Sequence, residues 1–142
     1  MAYTMKNCKV EFSANGTTWT DVTSDSNSVA MSGFELETDS VGLFGQAKKD
    51  QTAGGYAIGT VTVRLMYVET TSSGWGLAHT AWVNRTNLYV RWSPRGGTTG
   101  QYRFTSDAGY VKNPVWPTGE DGAAQIMSEV VIETPFVTQA SV

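Results

Sequence analysis

Hydrophobic and polar residues alternate along much of this chain, and a period of two predicts β-strands. The clearest case is Ala57 to Glu69, where Val61, Val63, Leu65 and Tyr67 face one way and Thr60, Thr62, Arg64 and Met66 the other. Leu88, Val90 and Trp92 alternate with Tyr89, Arg91 and Ser93, and Tyr102 and Phe104 alternate with Gln101, Arg103 and Thr105. Pro94, Gly96, Gly97 and Gly100 lie between those two runs, so the segment LYVRWSPRGGTTGQYRFT predicts a hairpin. Its Trp92, Tyr102 and Phe104 face reads as core. Toward the N-terminus, Cys8, Val10 and Phe12 share a face, Asn15-Gly16 makes a turn, and Trp19 to Val22 returns. Thr23 to Ser28 reads as a loop by composition. Val29 to Glu37 is a further strand with Ala30, Phe34 and Leu36 on one face, and Gly33 marks a bulge or a close backbone approach. Gln125 to Thr134 closes the pattern, with Ile126, Ser128, Val130 and Ile132 opposite Met127, Glu129, Val131 and Glu133.

Two stretches depart from this period. Ser73 to Val83 has helical spacing, with Ser73 as cap and Trp75, Ala78, His79 and Trp82 on one stripe. Thr38 to Tyr56 has no clear period. It carries Gly42, Gly45, Gly54 and Gly55, an apolar group at Val41, Leu43 and Phe44, and a charged tip at Lys48, Lys49 and Asp50. A connection this long is uncommon inside a domain unless it has a job. Gly109 to Trp116 reads as extended, PTGEDG as a loop, and the tail after Pro135 as short and extended. One helix among so many strands predicts a mainly β fold: a β-sandwich or flattened barrel with one flanking α-helix and a long loop. The length, 142 residues, fits a single β domain over 1–142.

Charge and cysteine usage narrow the function. Net charge is −3, which disfavours a surface built to grip DNA or an anionic membrane. Cys8 is the only cysteine, so neither an internal disulfide nor a cysteine-rich metal site is available. No apolar stretch has the form of a signal peptide or membrane span, and folding in a reducing cytoplasm is expected.

Catalytic parts are scarce. His79 is the only histidine, and among Trp75, Ala78 and Trp82 it reads as a packed structural residue. Cys8 reads as a small buried hydrophobe. Nucleophile-elbow, phosphate-loop, dinucleotide-fold and zinc-protease motifs are all missing. Glu35, Glu37 and Asp39 share one face of an extended strand, as do Glu129 and Glu133. Paired carboxylates suit glycoside hydrolysis or calcium, but the bland reading, a solvated or lumen-facing acidic surface, is preferred without a ligand-rich loop around them. Asp21, Asp25 and Asn27 resemble calcium ligands only loosely. No cofactor and no metal are expected.

Arg91 and Arg103 leave the polar face of the predicted hairpin, with Arg85 and Arg95 near its ends and Tyr89 beside them. They could touch phosphate, yet opposite charges on separate strands suit contact between copies of the chain at least as well. Of the tryptophans, Trp75, Trp82 and Trp92 fall on predicted inward faces, while Trp19 and Trp116 are left as candidates for a sugar platform.

Together the segments AIGTVTVRLMYVE, SSGWGLAHTAWVN, LYVRWSPRGGTTGQYRF and QIMSEVVIETPF resemble a siphophage major tail tube protein. Members of that family commonly show a GTVTV-like strand, a helix soon after it, and a W-x-P-x-G-x-x-x-G segment, here Trp92, Pro94, Gly96 and Gly100. The resemblance runs from Val29 to Phe136. It implies a fold related to type VI secretion tube proteins, hexameric rings whose inner sheets join into a barrel, and stacking into a conduit for DNA. It implies a virion protein, assembled in the host cytoplasm, that meets its own copies and the tape-measure, terminator and distal tail proteins, without a membrane and without specific DNA binding. The loop carrying Val41, Leu43, Phe44, Lys48, Lys49 and Asp50 is then the bridge between rings. Glu35, Glu37, Glu129 and Glu133 are candidates for an acidic lumen that repels the duplex, and Arg64 would need an acidic partner on the same wall. Alternatives are a head decoration or tail-completion protein, and a carbohydrate-binding module using Trp19 and Trp116.

Overall fold

The structure, a computed structural model, describes residues 2–45, 47–118, 122 and 125–142. Its strands are β1 (Lys9–Ser13), β2 (Thr20–Asp21), β3 (Ser26–Ser32), β4 (Leu36–Val41), β5 (Asp50–Tyr56), β6 (Gly59–Met66), β7 (Asn87–Ser93), β8 (Tyr102–Ser106), β9 (Gly109–Val111), β10 (Met127–Thr134) and β11 (Val137–Ser141). The helix, α1, is Gly74–Asn84. Two antiparallel sheets form a sandwich that does not close into a barrel. One runs β2-β1-β7-β8-β11 and the other β3-β6-β10-β9, and β7 joins them. Tyr89 to Ser93 pair with β1 and Arg91 and Trp92 with β8, while Asn87 and Leu88 pair with β9.

The inward faces meet in one core. Phe12, Val61, Val63, Leu65, Leu88, Val90, Val130 and Ile132 are at most 1% exposed. Each such side chain contributes roughly 1.5–3 kcal/mol by leaving water. The alternation that predicted β6 is the alternation observed: Val61, Val63 and Leu65 are buried, whereas Arg64 between them is exposed. The Gly-rich turn also forms as expected, with Gly96, Gly97 and Gly100 all at positive φ. The Ser73 hydroxyl oxygen caps α1 by accepting from the Gly76 N–H at 3.0 Å.

Several expectations are corrected. The unstructured loop expected over Thr38 to Tyr56 is a two-stranded arm: β4 pairs with β5, with a register shift near Leu36 and Thr38. Every residue of both strands is exposed. The single strand expected from Val29 to Glu37 breaks at a corner, where Gly33 has φ +88° and Phe34 φ +58°. A Cβ on Gly33 would meet the Gly59 Cα at 2.7 Å, and one on Gly59 would meet the Ser32 carbonyl at 2.5 Å and the Phe34 ring at 2.6 Å. Phe34 therefore turns against Gly59 and the core, out of line with Leu36, which is exposed. Thr23–Asp25 is a short 3₁₀ turn, and β3 begins directly after it. Tyr102, expected in the core, is exposed at the end of β8, as is Ile126 before β10. The helix buries its small residues Gly74, Gly76, Ala78 and Ala81. Close approach to the sheets selects those, and the bulky Trp75 and Trp82 pack half-buried against the edge of the core. The expected PTGEDG loop lies partly outside the described residues.

Candidate assembly surfaces

The surfaces of the fold with exposed apolar or charged groups are its candidate sites. Among the described residues no three His, Cys, Asp or Glu side chains gather as metal ligands, and no described helix is long and apolar enough to cross a membrane.

The arm is the first such surface. At its tip Val41 and Leu43 are about half exposed, and Phe44, 108% exposed, touches nothing that shields it. Lys49 lays its stem near Gly42, and Lys48 and Asp50 are exposed beside it. At the root, Tyr56 packs on Phe136 with ring centroids 5.1 Å apart, and the Ala57 N–H donates to the Glu35 carbonyl at 2.9 Å. The ladder thus continues through the corner that redirects it.

The second surface is the outward face of β3, β6 and β10. Register sets Ser28, Arg64 and Glu129 in one row, Ala30, Thr62 and Val131 in the next, and Ser32, Thr60 and Glu133 in a third. Glu129 therefore stands opposite Arg64. Lys112 pairs with Glu133 at 3.1 Å. The four acidic lumen candidates separate: Glu129 and Glu133 share this face, while Glu35 and Glu37 sit at the root of the arm.

Arg91 and Arg103 also part company. Arg91 is engaged within the chain: its Nε and Nη2 donate to the two Glu11 carboxylate oxygens at 2.9 and 3.1 Å. Its guanidinium also lies 4.2 Å from the Trp19 ring centroid. Glu11 is 7% exposed, so this is a largely buried clasp between β1 and β7 and not a free surface for another copy. The pairing joins residues 80 positions apart. Nothing in either local pattern announces it, since Glu11 reads simply as the polar side of its strand. Arg103 is half-buried on β8, outside this clasp. Trp19 is covered by Arg91, and Trp116 is set edge-on to Trp82.

A further feature escaped the sequence. Tyr67, Trp75, His79, Trp82 and Trp116 form a continuous aromatic row along α1. Successive ring centroids are 4.8, 4.8, 6.4 and 5.6 Å apart. Trp75 is fixed by its indole N–H, which donates to the Val115 carbonyl at 2.6 Å. His79 stacks on Trp75 with planes 10° apart, and its buried Nδ1 has no hydrogen-bond partner. The helical stripe was legible: Ala78 is buried, Trp75 and Trp82 pack half-buried against the core, and only Trp116, at the end of the row, is exposed. Cys8 is half-buried against the core, and burial raises its thiol pKa above the ordinary value.

No protein-family model matches this sequence, and no curated protein matches it. Solved structures do. The chain superposes on one from the tail of an empty GTA particle, refined with C6 helical symmetry, at TM-score 0.72 and 8% identity over 99% of each chain. It superposes on one from the sheath–tube complex of an extracellular contractile injection system at TM-score 0.65 and 15% identity, over 96% of this chain and 89% of that one. For the SPP1 tail tube the values are 0.64 and 9%, over 96% and 77%. At such low identity the likeness is one of fold, and the chain has the fold found in phage tail tubes and contractile injection systems.

Proposed function

We propose that this chain is a structural, non-catalytic tail-tube subunit, one domain spanning 1–142, whose copies form hexameric rings that stack into a hollow conduit for DNA. The observation that carries this reading is the fold match over 99% of both chains to a component of a tail with C6 symmetry. The exposed arm supports it, because an apolar tip on a soluble subunit is a liability unless a neighbour covers it. In this reading the arm bridges successive rings through Val41, Leu43, Phe44, Lys48, Lys49 and Asp50, and the open edges of the sheets pair between copies.

The outward face of β3, β6 and β10 lines the channel. Its cations stand near carboxylates, Arg64 opposite Glu129 and Lys112 on Glu133, and Ser28, Ser32, Thr60 and Thr62 supply hydroxyls around them. Such a wall offers a passing duplex few free cations, so little counterion release holds it in place. Glu35 and Glu37 belong to the arm and act between copies. Arg103, unlike Arg91, is left for subunit contact. Tape-measure, terminator and distal tail proteins complete the assembly in a virion built in the host cytoplasm.

Negative-stain microscopy of concentrated protein tests this. Rings or hollow filaments are the expected result, and strict monomers at high concentration would overturn it. Deleting Val41 to Gly54 should leave a folded subunit that no longer polymerises.

A further inference from the structure

We propose that the arm tip of one copy docks on the aromatic row Tyr67–Trp75–His79–Trp82–Trp116 of a second copy. The inference rests on the tube reading and adds to it the receiving surface. The tip is exposed in the isolated chain, and the row is half-buried along α1 and exposed at its Trp116 end. The two lie on different elements, the tip between β4 and β5 and the row along α1 and the Trp116 segment. Two unlike apolar patches on one chain satisfy each other only head to tail, the kind of contact that propagates into rings or filaments.

Charge selects this receptor over its rival. A cleft of about 450 Å³ beside β3, lined by Met5, Cys8, Val10 and Val29, is also partly apolar, but its one charged group is Lys6. The tip brings Lys48 and Lys49 against the one carboxylate of Asp50 and is positive on balance, so that cleft would oppose like charges. The aromatic row ends instead at Glu69, exposed and held by the Tyr67 hydroxyl, which donates to its carboxylate at 2.8 Å. Indole faces also accept an ammonium group. At the other end Arg85 follows α1, beside Trp82 and Tyr110. The docked tip is thereby oriented: its lysines lie toward Glu69 and Tyr67, and Leu43 and Phe44 cover Trp82 and Trp116, the latter 60% exposed.

A photoreactive phenylalanine analogue at position 44, activated in assembled protein, reads the contact directly. Crosslinks to the peptides holding Trp75 to Arg85 or Pro114 to Thr118 of another copy are expected. Crosslinks to Met5–Val10, or anywhere else, would overturn the docking while leaving the tube reading intact. Trp116→Ser and Glu69→Lys supply a second measure, each with far-ultraviolet circular dichroism to show that the fold is kept. Each should raise the protein concentration needed for filaments at least tenfold. Folded Trp116→Ser protein that polymerises like the parent would also sink the proposal. If the unmodified chain forms neither rings nor filaments, the tube reading itself fails, a result distinct from either of these.

Discussion

The sandwich and the arm are made from the same kinds of residue under opposite rules. In β6 and β10 each apolar side chain that faces inward is covered by the facing sheet, and Val63, Leu65, Val130 and Ile132 are fully buried. In β4 and β5 every residue is exposed, although Leu36 and Val41 are as apolar as the leucines and valines of the core. A two-stranded ribbon with no covered face is marginal by itself in water. The arm is held by its ladder, by the corner at Gly33 and by Tyr56 on Phe136. The body is thus stabilised within the chain, while the arm keeps its apolar surface for contacts outside it.

Substitutions can break or sharpen that contrast. Leu65→Ala, in the body, should cost about 2–5 kcal/mol through lost burial and a cavity, read as a lower denaturant midpoint. Glu11→Ala should cost about 2–4 kcal/mol, because Arg91 is left largely buried without its carboxylate. Replacing both partners with apolar residues of similar size should restore most of that loss, and a double variant as unstable as the single one would show that the clasp is not what holds β1 to β7. Phe44→Ser, in the arm, should change stability by less than about 0.5 kcal/mol yet abolish filaments. If it unfolds the protein as Leu65→Ala does, the contrast between body and arm is gone.

The smallest effect is a pH dependence. Asp21 is held below its ordinary pKa, chiefly by hydrogen bonding from the Thr23 side chain, with the Thr23 N–H, at 2.9 Å, and Lys9 adding to it against a desolvation cost. A depressed carboxylate stabilises the fold above its unfolded pKa and loses that contribution as pH falls through the folded value. The stability gap between the parent and Asp21→Asn should therefore be steady near neutral pH and shrink in acid. A gap that widened in acid would contradict the assignment.

How much of this the sequence disclosed depended on where burial writes a pattern. β6, β7, β10 and the capped helix were legible because one face of each is buried and the other is not. β4 and β5 were illegible for the same physical reason: with both faces in water, neither side selects apolar residues, and the ladder leaves no period to read. The Glu11–Arg91 clasp was hidden by distance along the chain. The helical part of the aromatic row was visible as a stripe, but its continuation through Tyr67 and Trp116 was hidden, since neither residue lies on the helix.

The corner at Gly33 and Phe34 has a geometric consequence. The arm prolongs β3 and β6, and backbone rotations at two residues, locked by the Phe34 ring against Gly59, set its heading. A lever amplifies a small change at its fulcrum into a large displacement at its end. Whatever the tip engages, the offset between one copy and the next is thus fixed at the fulcrum, many residues from the contact. Gly59→Ala, which touches neither the tip nor its receptor, would act as a change of pitch.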